Sequence, residues 1–447
     1  MKKRLYHYFF EDNTKQNVSD KLEIADLGTL FHKDVEIDCY DRFNGELEMY
    51  ALPIKYLHHV DKMLVMHNLT PDIDNFFQQV KEVVAVAEKH QDEKGKEGKM
   101  NFQAYFHDVP ASIESINDKA VVVFALAPST TEKDAAGRRL YKLAGYVHAN
   151  EFDFAPTMDS EERLPGYYYN MLRISEEEVN GQQVYRRSGV FSTMFGILLN
   201  LVIQNDIHFV YATMGKANAK INKALKKLAE NYDKKWDILP TISNSKITLL
   251  HGRTRYKKQL IDITDNDEQL EVLYNKSQAI RGKYMFNQYP DFKDFLHSYK
   301  RIVGYSKTTK AFMRTDANGN MTAACIAVNW GDYFSFLLDN PKGIFVLVDK
   351  LKLTDQLLYA WLTVGEPSEV DKLYKGLSQY YKDNVGIKMF ILNSYEGDVY
   401  KEVKSSFVDD PMNYFVIYDR PEQYEQFKEY SKDADGNIRI FIDTPML

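Results

Sequence analysis

The sequence predicts an α/β protein on a mixed sheet, organised as two successive blocks of one architecture. Three observations carry this. Between Val121 and Tyr232, β-rich apolar runs give way to runs with helical apolar spacing, in the order strand, strand, strand, helix, strand, helix. A similar order of elements returns between Ala311 and Tyr418. The chain has 447 residues, which exceeds what one core serves. Strands and helices alternating at these lengths imply a sheet that is partly antiparallel and partly parallel.

The first 60 residues read as short strands and turns. Val35–Tyr40 alternates with period two, Asn44-Gly45 follows, and Glu46–Leu52 resumes the alternation, which predicts a hairpin. Thr70-Pro71-Asp72 opens a helix over 70–90, with Phe76, Val80, Val83, Val84 and Ala87 at helical spacing. Asp92–Lys99 is a charged, glycine-bearing loop. Strands follow at Val121–Ala127, Leu140–Phe152 and Gly166–Ile174, with a turn at Gly137. Gly189–Ile203 is helical, His208–Thr213 a strand, and Asn218–Tyr232 an amphipathic helix. Residues 266–300 read as a charged helical connector. In the second block, Ala311–Thr315 and Met321–Trp330 flank an Asn318-Gly319 turn, and Gly343–Val348 is a strand or a short helix. Leu357–Val364 is a strand, Glu369–Asp383 a helix, Ile387–Leu392 a strand, Asp398–Phe407 a helix and Asn413–Tyr418 a strand.

Composition narrows the function. A formal charge of −7 argues against a DNA-binding protein. Two cysteines, Cys39 and Cys325, exclude a disulfide framework and a cysteine-rich zinc site. No HExxH, CxxC pair, Walker loop or GxSxG element occurs, so no metal is expected. Phe191–Ile203, the longest apolar stretch near the middle, is interrupted by Ser192, Thr193 and Asn200 and is too short to span a bilayer. A cytoplasmic protein without membrane partners is the expectation.

The segment Val184-Tyr185-Arg186-Arg187-Ser188-Gly189-Val190-Phe191-Ser192 lies after a strand and opens a helix. First-turn amides have no intrahelical partner and the helix dipole adds positive potential, so such a turn cradles a pyrophosphate. Gly189 permits close approach of backbone, and Arg186 and Arg187 supply charge. The segment resembles the pyrophosphate loop of the GNAT superfamily of acyl-CoA N-acyltransferases, Q/R-x-x-G-x-G/A. Arg186 and Gly189 match, and Phe191 departs from the third fixed position.

The resemblance implies two GNAT-like domains in tandem, 1–265 and 266–447, with the best match over 120–235 and a degenerate second copy. It implies acetyl-CoA or another acyl-CoA as co-substrate. Arg186, Arg187, Ser188, Gly189, Val190 and Ser192 then hold the pyrophosphate, and the strand at Met171, Leu172 and Arg173 meets the pantetheine. Asn218 opens a helix where the family often has Asn, and Leu225 replaces a Tyr that the family often uses as an acid.

Amine acylation needs a base, a carbonyl-polarising donor and a proton source for the thiolate. Glu151, at the end of its strand, and Tyr169 are the candidates, and His148 lies on the face opposite Glu151 by parity. In the second block Glu366 and Glu369 would repel a pyrophosphate, and Ser368 reads as a helix cap. The implied function is acyl transfer to a small-molecule or peptide amine. A non-catalytic binding or scaffold protein, and an aminoacyl- or peptidyl-transferase, are the two other readings.

Overall fold

The computed structural model describes residues 2–11, 18, 20–39, 42–43, 45–85, 101–154, 162–179, 182–215, 219–249, 255–281, 289, 291–339, 344–350, 357–386, 389–395 and 406–430. The first part contains β1 (Lys2–Phe10), β2 (Asp20–Ile24), β3 (Gly28–Cys39), β4 (Glu48–Pro53), α1 (Val60–Met66), α2 (Ile73–Val84), β5 (Asn101–Phe106) and α3 (Val109–Ile116). Next come β6 (Val121–Lys133), β7 (Arg139–Phe154), β8 (Leu164–Ile174), β9 (Glu178–Val179), β10 (Gln182–Gln183), α4 (Val190–Gln204), β11 (Phe209–Gly215), α5 (Ala219–Asn231) and β12 (Lys235–Leu249). The rest comprises β13 (Ile261–Asp262), α6 (Asp267–Arg281), α7 (Phe292–Tyr305), β14 (Lys310–Thr315), β15 (Met321–Asn329), β16 (Phe334–Asp339) and α8 (Ile344–Lys350). It ends with β17 (Leu357–Gly365), α9 (Pro367–Asn384), β18 (Met389–Tyr395), β19 (Ser406–Tyr418) and α10 (Pro421–Tyr430).

Among the described residues one sheet of 15 strands runs β13-β14-β15-β17-β18-β12-β19-β11-β8-β7-β6-β4-β1-β3-β2. Most neighbours are antiparallel. The parallel pairs are β1 with β4, β8 with β11 and β17 with β18. The mixed sheet expected from the element order is therefore present.

The two blocks exchange strands at the centre. β12 follows β11 in sequence yet pairs with β18, and β19 follows β18 yet pairs with β11. β12 and β19 also pair with each other. A second link is the antiparallel pair of β5 and β16. One apolar core spans both blocks, from Phe9 and Leu52 to Trp330 and Trp361. The helices α6 and α7 do more than connect: Tyr274, Phe295 and Tyr299 are buried in that core.

Two local expectations change. Strands β3 and β4 form no hairpin, because β1 lies between them, antiparallel to β3 and parallel to β4. Tyr6 and Tyr8 of that strand enter the core beneath α4, which outweighs the local turn preference of Asn44-Gly45. Residues 344–350 take the helical one of the two conformations expected for Gly343–Val348. The cap of α9 is Glu366, and Ser368 lies inside the first turn. The helix expected at Asp398–Phe407 lies outside the described residues except 406–407, which open β19.

α2 begins where the sequence placed it, with the Asp72 carboxylate accepting from Asn75 N–H at 2.9 Å. α4 is apolar around most of its circumference and correspondingly buried on most sides. It packs on the sheet face carrying Val147, Tyr167 and Val210. The N-terminal strands reach it as well: Tyr6 donates to Asn200 Oδ1 at 2.7 Å, and Lys33 to Gln204 Oε1 at 2.7 Å. Among the described residues no helix is long and apolar enough to cross a membrane.

Candidate functional site

β8 and β11 run parallel and pair only at Gly166↔Phe209, Tyr167↔Val210 and Tyr168↔Tyr211. Beyond Tyr168 they part. β11 continues to Gly215 held by β19, and β8 continues to Ile174 held by β7. The β7–β8 ladder steps from His148↔Asn170 to Tyr146↔Arg173, which leaves one extra residue in β8. Such a bulge bends its strand and increases local twist. The gap therefore opens from Tyr169 to Ile174, about 20 Å of extended chain.

The gap leads to the loop before α4. Arg187 and Gly189 both have left-handed backbone, with φ of 62° and 92°. Gly189 is the N-cap and contributes no side-chain cap, so the Val190, Phe191 and Ser192 amides lack an intrahelical or capping acceptor. The Ser188 hydroxyl donates to Tyr185 O at 2.5 Å, and Ser188 O accepts from Arg42 N–H at 2.6 Å. Tyr232 steadies the turn by donating to Ser192 O at 3.0 Å. Arg186 pairs with Glu176, Nη2 to Oε1 at 2.5 Å, whereas Arg187 is exposed. The Phe191 ring lies parallel to that of Phe195 and is half-buried against the α4 core.

A second feature lies toward the other end of α4. Glu151 sits directly opposite Tyr167 in the β7–β8 ladder, and the Tyr167 hydroxyl donates to its carboxylate. Asn205 Nδ2 donates to the Tyr167 hydroxyl at 2.6 Å, and the Tyr8 hydroxyl to Asn205 Oδ1 at 2.6 Å. These residues line a cavity of about 520 Å³, together with Lys119. Burial raises the Glu151 carboxyl above its ordinary range; the Lys119 ammonium pulls it back and the Tyr167 hydrogen bond opposes the rise. Burial also pushes the Tyr8 phenol up to about 12. His148 on the opposite face is fully buried, and desolvation lowers its imidazole to about 3, so it is neutral.

The second block repeats the diverging strands of the first but opens its helix differently. β17 and β18 pair over Leu357↔Met389, Leu358↔Phe390 and Tyr359↔Ile391, then separate. β17 also carries one extra residue against β15, between Trp361 and Val364. Tyr359 thus stands where Tyr168 stands, and each strand bulges just beyond it. The following helix differs: Glu369 in its first turn is bound by Arg314 and Lys372. A carboxylate in the first turn adds negative charge at the end of the helix that would attract an anion.

No protein-family model and no curated protein matches the sequence. Solved structures do match. N-myristoyltransferase of Saccharomyces cerevisiae, solved with bound myristoyl-CoA and inhibitors, is 9% identical, with 97% of this chain and 93% of that chain covered at a TM-score of 0.50. A second structure of that protein with bound myristoyl-CoA is 12% identical, with 97% of each chain covered and a TM-score of 0.47. A GCN5-related N-acetyltransferase from Kribbella flavida is 7% identical, covering 66% of this chain and 59% of that chain at 0.34. At these identities the first likeness is one of fold, and it runs through both blocks. The chain has the GNAT fold, in two repeats.

Within the first GNAT repeat the structure gathers Arg186, Arg187, Ser188, Gly189, Val190 and Ser192 around the start of α4. Met171, Leu172 and Arg173 lie on the stretch of β8 that borders the gap. Tyr169 is the first residue past the last β8–β11 pair, with its ring edge-on to Phe195 at 5.7 Å. Glu151 is a diagonal neighbour of Tyr169 across the ladder, about 7–8 Å by sheet geometry. Asn218 lies outside the described residues. Sequence reasoning missed Tyr8, Asn205 and Glu176. Tyr8 and Asn205 come from distant segments, and no spacing in the chain announces them.

Proposed function

We propose that the first repeat binds an acyl-CoA and transfers its acyl group to an amine of a small molecule or peptide. The observation that carries this is the gap between β8 and β11, which runs from Tyr169 to an uncapped helix start. In this reading the amides of Val190 and Ser192, with Arg186, Arg187, Ser188 and Gly189, take the pyrophosphate. The backbone of Met171, Leu172 and Arg173, free of β11 along the gap, pairs with the pantetheine, and the family resemblance assigns Asn218 to the donor as well. The parallel acyl-CoA-bound neighbours of this fold support the choice of donor. The donor is acetyl-CoA or a longer acyl-CoA, and the setting is cytoplasmic.

The chemistry is nucleophilic substitution at a thioester. A neutral amine attacks the carbonyl carbon, the C–N bond forms, and the C–S bond breaks. Glu151 accepts the ammonium proton through water, and its carboxyl, raised by burial, is a stronger base than an ordinary carboxylate. Tyr169, at the fork, protonates the departing thiolate. The second repeat, with Glu369 in the first turn of the corresponding helix, takes no donor and contributes to the acceptor side.

The test is a thermal-shift titration with acetyl-CoA and longer acyl-CoAs, followed by thiol release in the presence of amines. A ligand selective for the folded state raises the melting temperature by mass action. Arg186→Glu is expected to abolish that rise. No shift at millimolar ligand, with Arg186→Glu indistinguishable from wild type, removes the proposal.

A further inference from the structure

Three histidines far apart in sequence meet on the N-terminal side of the sheet. His7 lies in β1 and His32 in β3, while His67 is the C-cap of α1. The β1–β3 register sets Asp34 directly opposite His7, and His32 two residues earlier on the same face. One nitrogen from each of the three rings lies within 4.8 Å of the others. The His7 and His67 ring centroids are 3.6 Å apart, and both stand about 5.5 Å from that of His32.

The environment is that of a ligand set. His7 Nδ1 hydrogen-bonds Asp34 Oδ1 at 2.7 Å, which leaves Nε2 as its outward atom. The same oxygen is 3.2 Å from His32 Nε2, and Asp20 Oδ2 is 3.8 Å from His32 Nδ1. A carboxylate behind a ligating imidazole fixes its orientation and raises its basicity. His67 Nε2 is buried and, among the described residues, has no hydrogen-bond partner. A nearby cation, Arg139, is held by Glu46 and Glu48 and directs Nη2 to the His67 carbonyl at 3.4 Å. Aromatic walls come from Tyr50 and Phe9.

We propose that His7, His32 and His67 bind one divalent transition-metal ion of the zinc class, with Asp34 orienting His7. Imidazole nitrogens select zinc, cobalt, nickel or copper over magnesium and calcium. Tetrahedral bonds of about 2.0–2.1 Å bring ligand nitrogens to about 3.3 Å from one another. Side-chain rotation of His67, at a helix end, and of His7 closes the present spacing. Three protein ligands leave the fourth position to water. The ion fastens β1 and β3, which cover α4, to the end of α1, and the site is independent of the acyl-donor gap.

The test uses the full chain, stripped with a chelator and dialysed, then titrated with zinc or cobalt chloride. One equivalent is expected to bind, cobalt is expected to show the intense visible bands of a tetrahedral site, and the melting temperature is expected to rise. His67→Ala removes a ligand at a half-exposed helix end without opening the core, and is expected to abolish the cobalt bands. Asp34→Asn is expected to keep the stoichiometry and weaken affinity about tenfold or more. His297→Ala, at an exposed histidine elsewhere, serves as control and is expected to match wild type. Absence of saturable binding at one equivalent, or cobalt bands unchanged in His67→Ala, overturns the proposal.

Discussion

Arg186 Nη2 lies 2.5 Å from Glu176 Oε1, so the loop that joins β8 to α4 carries its own counter-ion. Both side chains are about one-third exposed, with values of 33% and 34%. A pair of that exposure contributes little to folding, about 0–1 kcal/mol. Its effect falls on ligand binding, because a pyrophosphate must compete with Glu176 for the guanidinium. Glu176→Gln is expected to tighten CoA binding about two- to fivefold at low salt, with little change in melting temperature. Arg186→Ala is expected to weaken it, and added salt to compress both differences. Calorimetric titration with CoA at two ionic strengths measures this, and equal affinities in all three proteins contradict it.

The Glu151 carboxyl gives a pH prediction. Burial raises its folded-state pKa above that of the unfolded chain. Below the unfolded pKa both states hold the proton, and Glu151 costs no stability. As pH rises through the interval between the two values, the unfolded state ionises first and folding is progressively disfavoured. Above the folded pKa the penalty is constant. Glu151→Gln is thus expected to melt higher than wild type at neutral pH and to converge with it in acid. Melting temperatures of both proteins across the acid range supply the comparison, and a gap that widens toward low pH has the wrong sign.

The central strands and helices were readable because their letters carry a period. Val121–Ala127 alternates between two buried faces, and Gly189–Ile203 places apolar residues on every side of α4. β12 escaped notice for the opposite reason. Pro240 interrupts it, and Ser243-Asn244-Ser245-Lys246 is polar throughout, yet it has ladders on both sides and shifts register between Pro240 and Asn244. Its place comes from tertiary pairing rather than local propensity. The arginine–glycine pair of the loop was visible as a motif. The Tyr8–Asn205–Tyr167–Glu151 chain and the three histidines were not, since strand pairing and packing between separate segments create them.

Gly365 closes β17 at a φ of 129°, a conformation open to glycine. A Cβ there would stand 2.6 Å from Thr322 O and 2.8 Å from Ala323 Cα. Both neighbours are backbone of β15, so neither can rotate away. Gly365→Ala is expected to destabilise the protein by about 2–4 kcal/mol, combining backbone strain with overpacking. Gly319 also has positive φ but open space around it, so Gly319→Ala is expected to cost only the strain, about 1 kcal/mol. Chemical denaturation of the two variants separates the contributions. Equal losses would mean that β15 yields to the added methyl group.

The strand exchange at the centre bears on whether the repeats are independent. A chain cut after residue 265 keeps β11 and β12 but loses β19, which pairs with both. It also loses β18, the other neighbour of β12. Two long ladders are left as open edges, which favour intermolecular pairing. The shared core is split as well, exposing residues such as Tyr56, Val109 and Phe106 that pack with Trp330, Tyr333 and Phe334. Residues 1–265 and 266–447 expressed separately are therefore expected to be insoluble or to lack a cooperative melt. Co-expressed, they are expected to assemble into one complex that melts cooperatively, because the exchanged strands then find their partners. A monomeric 1–265 fragment with a sharp transition of its own would show that the first repeat closes its sheet without β19.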